Sequence, residues 1–186
     1  MKIASLTLAL TLVTLAAPVA FGQHGHVSPY REQHQAGLRG LSAQEIDDLT
    51  QGRRMGLARA AELNGYPGPR HVLDAARDGQ LALTPRQQAS VQRLFDRMER
   101  DAKRLGARVV AEEGALEAAF RGAAITEAEL LERVNRLAAL QGELRQVHLR
   151  AHLATRALLT DAQVARYDEL RGYASSPPPA PPHRRH

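Results

Sequence analysis

Two histidines one helical turn apart, in His148-Leu149-Arg150-Ala151-His152, are the residues of this chain best spaced for chemistry. Positions i and i+4 of a helix share a face, so both imidazoles can reach a single Zn²⁺, Cu²⁺ or Ni²⁺ ion. A histidine at the border of an apolar face serves equally well as a hydrogen-bond donor to a neighbouring helix. Nothing else in the sequence has a catalytic pattern. There is no cysteine, hence no thiolate ligand, thiol nucleophile or disulfide. There is no glycine-rich phosphate loop and no G-x-S-x-G elbow. The carboxylates stand beside basic residues at helix-pairing distance, as in Asp96 with Arg100, Glu99 with Lys103 and Glu132 with Arg136. The sequence therefore points away from an enzyme, and no motif requires a cofactor.

The elements that must position these residues announce their own beginnings. Four times an apolar residue precedes Ser or Thr, two spacers, and Glu or Gln. The cap and return residues are Ser42 and Glu45, Thr84 and Gln87, Thr126 and Glu129, and Thr160 and Gln163. Each pair predicts a capping box, in which the hydroxyl accepts a backbone N–H three residues on and the longer side chain reaches back. Leu41 with Ile46, Ile125 with Leu130 and Leu159 with Val164 are spaced to staple three of these starts. Pro85 preorganises the remaining one.

The first helix is expected over 42–63, bent at Gly52 and Gly56. A short one follows from Pro69 to about Arg77. Over 85–121 the apolar positions Val91, Leu94, Phe95, Met98, Ala102, Leu105, Val109, Leu116 and Phe120 recur at three and four, near a heptad seam. A second seam carries Leu130, Val134, Leu137, Leu140, Leu144, Val147, Ala151 and Ala154. At ~1.5 Å per residue the two helices are roughly 55 and 48 Å long. The short loop between them predicts an antiparallel hairpin. A last helix is expected over 161–170. No segment has a strand pattern, so the fold class is all-α: a long antiparallel helical hairpin with shorter flanking helices. A thin hairpin leaves helix faces uncovered, which favours a homodimer.

Residues 1–22 have the order of a cleaved secretory signal: Lys2, an apolar run over 3–17, and Ala20-Phe21-Gly22. They predict export to the periplasm, with no stable membrane insertion afterwards. Residues 23–40 are rich in His and Gln and read as flexible, 41–173 as the helical domain, and 174–186 as a proline-rich disordered tail. Without Lys2 the 25 basic residues become 24 against 20 acidic, and nearly all are arginine. That modest excess suits acidic or unfolded protein partners, lipid headgroups or a bland solvated surface, and the periplasmic address excludes nucleic acid. Phe95 and Met98 are expected in the core, and Met55, next to Arg53 and Arg54, either in the core or as an exposed amphiphilic contact. His24, His26, His183 and His186 could bind metal loosely.

Two of the four caps, Leu83-Thr84-Pro85-Arg86-Gln87 and Leu159-Thr160-Asp161-Ala162-Gln163, match LTxxQ. Over 41–173 the chain thereby resembles the Spy/CpxP family of small helical periplasmic proteins. That resemblance implies a cradle-shaped dimer with a concave face, acting as an ATP-independent chaperone in envelope stress. The partners it implies are unfolded periplasmic proteins or a membrane sensor protein. The stretch 83–167 also resembles the heavy-metal sensor and resistance branch that includes CnrX and ZraP. That branch carries a metal-binding His-x-x-x-Met before its last LTxxQ-like cap, and His152 stands here at the Met position. The branch draws further ligands from its first helix, where this chain offers only His34 and Glu62, with His71 in the following helix. A Zn-, Cu- or Ni-binding sensor is thus the alternative function.

Overall fold

Each long helix begins where a side-chain oxygen stands in for a missing backbone partner. The computed structural model describes residues 28–35, 37–53 and 56–173. Residues 1–27, the expected signal segment included, lie outside this range, as do Met55 and the tail histidines. A 3-10 turn at Arg31–Gln35 precedes α1 (Ala43–Thr50), α2 (Arg59–Glu62), α3 (Pro69–Arg77), α4 (Pro85–Arg121), α5 (Glu127–Leu158) and α6 (Asp161–Leu170). Among the described residues there is no strand. Ser42, Thr84 and Thr160 close full capping boxes with Glu45, Gln87 and Gln163. The fourth expected box is only half made. Thr126 Oγ1 accepts the Glu129 N–H at 3.2 Å, but Glu129 turns its carboxylate to Arg133, which donates at 2.9 and 3.1 Å. A charged donor one turn on outcompetes the neutral N–H of the cap.

The single bent helix expected over 42–63 is two helices. Gly52 and Gly56 take φ of 69° and 94°, values in the left-handed region that glycine enters without a Cβ clash. At Gly52 a Cβ would also crowd Ala102 at 3.2 Å. The pairing expected between Asp96 and Arg100 is absent as well, because Asp96 accepts from Gln92 Nε2 at 2.7 Å. Glu99–Lys103 and Glu132–Arg136 form at 3.3 and 2.6 Å.

The long pair α4 and α5 is the centre of the fold. Arg108 faces Glu143, Arg133 faces Glu112, and Gln87 reaches Leu158 across them. Two apolar clusters form against this pair. The first joins Leu41 and Leu49 to Ala102, Leu105 and Val109 of α4 and to Leu137, Leu140 and Leu144 of α5. There α1 lies directly on α4, because a Cβ at Gly106 would overlap the Leu49 carbonyl. The second gathers Val72, Leu81, Val91, Leu159, Val164 and Tyr167. Phe95 and Met98 are half-buried rather than fully enclosed, and the Arg70 guanidinium covers the Phe95 ring at 5.5 Å. Val134, expected on the seam, is 46% exposed, and Phe120 is 54% exposed. Both lie beyond the part of the pair that α1 covers.

The two LTxxQ segments meet. Gln87 Nε2 donates to Gln163 Oε1 at 2.9 Å and Gln163 Nε2 donates back to Gln87 Oε1 at 3.1 Å. Each amide spends its second N–H on a main-chain carbonyl, Gln87 on Leu158 at the end of α5 and Gln163 on Ala82 before α4. Each oxygen also returns to its own cap N–H at 2.9 Å. Both amides are therefore fully used. One junction ties the start of α4, the end of α5 and the start of α6. Replacing Gln87 or Gln163 by Ala should each cost about 1–3 kcal/mol of folding stability. The double variant should cost less than the sum by about 1 kcal/mol, as expected for groups that share a bond. Urea denaturation of the four proteins measures this, and strict additivity would refute the coupling.

Candidate functional site

Between the two apolar clusters, α5 buries polar residues where its periodicity calls for apolar ones. His148, His152 and Thr155 are buried at i, i+4 and i+7. Thr155 turns back on its own helix, its Oγ1 donating to Ala151 O at 2.8 Å. Both histidines use Nδ1 in the same way. His148 Nδ1–H donates to Leu144 O at 2.9 Å and His152 Nδ1–H to Tyr66 O at 2.7 Å. A carbonyl can only accept, so these bonds fix the tautomer and leave Nε2 with the lone pair in the neutral ring. A histidine held in this way through Nδ1 is oriented to ligate through Nε2.

Opposite His152 stands Glu62, the last residue of α2. Its Oε1 accepts from Tyr167 Oη at 2.5 Å, from Arg171 Nε at 3.3 Å and from Tyr173 Oη at 3.3 Å. Its Oε2 is buried without a hydrogen bond, 3.6 Å from His152 Nδ1. Gly68 lets the chain pass close, since a Cβ there would lie 2.9 Å from His152 Cε1. A buried carboxylate survives only when charged or strongly polar donors surround it. Here they come from α6 and the residues just after it. Burial and the bond to Glu62 push the Tyr167 hydroxyl well above the ordinary phenol range, so it remains a donor. Asp168 Oδ1 is the second buried oxygen with no hydrogen bond. Burial, then the nearby Glu62 charge, raise the Asp168 pKa. Partial burial, then the Arg171 guanidinium, lower that of His71, against opposing pulls from Glu62 and Asp74.

The structure thus brings Glu62, His71 and His152 into one electrostatic neighbourhood, with His148 one turn away. His34 lies exposed in the 3-10 turn and joins no part of it. Among the described residues, no group of three or more His, Asp or Glu is arranged to hold a metal ion. Sequence reasoning did not single out Tyr167, Asp168, Arg171 and Tyr173. One signal for Tyr167 was available: with Val164 it continues the apolar spacing of α6, and a buried tyrosine hydroxyl needs a partner. Nothing in the spacing points to Glu62, more than a hundred residues earlier, as that partner.

Among the described residues no helix is long and apolar enough to cross a membrane. In comparisons with known proteins, no family model, curated protein or solved structure matches this chain.

Asp168 makes the cluster sensitive to pH. Its folded pKa is raised above the ordinary 3.8, so the fold favours the protonated form. The stabilisation from that proton is full below 3.8 and is lost as pH rises through the folded value. Asp168→Asn should therefore raise the thermal midpoint at about pH 7, with the gain shrinking as pH falls towards 4. Circular-dichroism melts across that range test it, and a variant no more stable than the parent at neutral pH would refute it.

Proposed function

We propose that this chain is a non-enzymatic periplasmic protein that binds unfolded or partner proteins without ATP, in the manner of the Spy/CpxP family. The observation that carries the reading is apolar surface left open on the long helices. Phe120 on α4 and Leu131, Val134 and Leu153 on α5 are 46–62% exposed, although both helices contribute to well-filled clusters. Isolated exposed apolar residues are common, but several on one helix pair, set among arginines, suit weak and adaptable protein contacts. The junction of the two LTxxQ segments supports the likeness, because it gives both motifs one structural task. On this reading α4 and α5 form an antiparallel hairpin, and a second copy packs against the open apolar residues to make a cradle-shaped homodimer. Partner proteins then include a membrane sensor protein as well as unfolded chains. The purified chain from residue 23 onward should suppress aggregation of a chemically denatured test protein at stoichiometric excess, followed by light scattering. Unchanged scattering would overturn the proposal.

A second reading, a heavy-metal sensor or resistance protein, is favoured by one arrangement. His148 and His152 are both oriented through Nδ1, which leaves each Nε2 with a lone pair in the neutral ring. Titration calorimetry with Zn²⁺, Cu²⁺ and Ni²⁺ should then show stoichiometric binding that His148→Ala/His152→Ala abolishes. No binding tighter than ~10 μM, or binding indifferent to those residues, would dispose of it.

A further inference from the structure

One face of α4 carries cations that nothing in the fold uses. Arg86, Arg93, Arg97 and Arg100 recur at intervals of seven, four and three, so they share a face. All four are exposed. Among the described residues Arg86, Arg97 and Arg100 have no hydrogen bond or ion pair, and Arg93 bonds only Ser90 Oγ, at 2.9 Å. The acids nearest in sequence bond other groups: Asp96 accepts from Gln92, Glu99 pairs with Lys103 and Asp101 with Arg104. Beside this row a groove opens between the long helices, about 250 Å³ in volume and lined by Ser90, Arg93, Leu94, Arg97, Ala154 and Leu158. Leu94, Ala154 and Leu158 give it apolar lining beside Arg93 and Arg97. On α5, exposed Arg150 lies one turn before Ala154 on the same stripe and also has no partner among the described residues.

We propose that this groove receives an extended acidic polypeptide segment, with one bulky apolar side chain seated on Leu94, Ala154 and Leu158 and the flanking carboxylates on the arginines. Charge decides the sign of the partner, since an unpaired cationic row is complementary to an anionic strip. Arginine is suited to carboxylates, which its planar fork can meet bidentately. Size decides the class. The groove falls below the ~300–1,000 Å³ of small-molecule sites, which leaves room for a side chain rather than a cofactor. Length decides the form. From Arg86 to Arg100 the row runs ~21 Å along the helix, about the reach of six extended residues. An apolar seat within a cationic row distinguishes a peptide carrying one anchor side chain from a featureless anionic surface. The inference rests on the protein-binding reading above and names the segments such a protein would prefer.

The test is fluorescence anisotropy on the full mature chain with a short labelled peptide of Asp and Glu around a central Leu. Three probes are compared with it: the peptide with Ser for Leu, the peptide with Lys for every acid, and phosphatidylglycerol vesicles. The acidic leucine peptide should bind best and weaken about tenfold in Arg93→Glu/Arg97→Glu, which replaces two screened attractions by repulsions. Binding should hold in Arg145→Glu, whose arginine lines a different surface with Glu45 and Asp48. The milder Arg97→Gln, expected to weaken binding less, serves if the double variant melts early. Equal binding of the lysine or serine peptide, indifference to the Arg93 and Arg97 changes, or binding of vesicles alone would overturn the proposal. Aggregation assays on the parent protein keep the two ideas apart. Suppression that ignores client charge and the Arg93→Glu/Arg97→Glu change removes the groove and keeps the protein-binding reading. Peptide binding without suppression keeps the groove and removes the chaperone.

Discussion

The reciprocal amide pair between Gln87 and Gln163 is the constraint on which the arrangement of the long helices and α6 depends. A helix end exposes carbonyls and N–H groups that its own ladder cannot satisfy. Here three such ends lie together, and two glutamines satisfy them in one network. Gln87 serves its own cap, the last carbonyl of α5 and the partner glutamine at once. Because every lone donor is committed, the junction tolerates little movement of α6 relative to α4. That fixes the direction in which Tyr167 and Arg171 leave α6, and so delivers their polar groups to Glu62.

The polar cluster that results sits between two apolar ones and contributes little to stability by itself. Two carboxylate oxygens are buried without hydrogen bonds, and each such group carries a desolvation cost. Removing Glu62 alone would strand Tyr167, Tyr173 and Arg171, so the cluster is self-supporting even where it is not favourable. Its consequence is specificity. It ties α2 and the loop before α3 to α5 and α6, elements that apolar packing alone would hold less uniquely. The histidine orientations belong to the same logic, because both are set by the carbonyls of Leu144 and Tyr66.

The surface shows the complementary economy. Most carboxylates on the long helices have an arginine or lysine within reach, so the electrostatics of the fold are locally balanced. The arginines of α4 that lack such partners stand out against that background, as do the exposed apolar residues towards the loop joining α4 and α5. Both kinds of surface suit the protein-binding role proposed above. They lie on rigid helices, so contacts made there would need little ordering of the backbone.

The starts of α1, α4, α5 and α6, the lengths of the two long helices and the all-helical class were legible in the sequence because they rest on local physics: caps act within four residues and apolar spacing repeats every turn. Thr84, Gln87, Thr160 and Gln163 could be assigned to caps from spacing alone. Their meeting could not, since more than seventy residues separate the two glutamines. Two differences were local instead. Glu129 left its cap because Arg133 offered a charge, and 42–63 broke because both glycines took left-handed backbone angles. His148 and His152 were visible as a pair, but their orientation belongs to carbonyls from their own helix and from a distant loop. Sequence thus determined which segments are helices and which faces are apolar. Only tertiary structure decided which ends meet, which carboxylate is buried among the tyrosines and which arginines remain unpaired, because those follow from contacts between residues far apart along the chain.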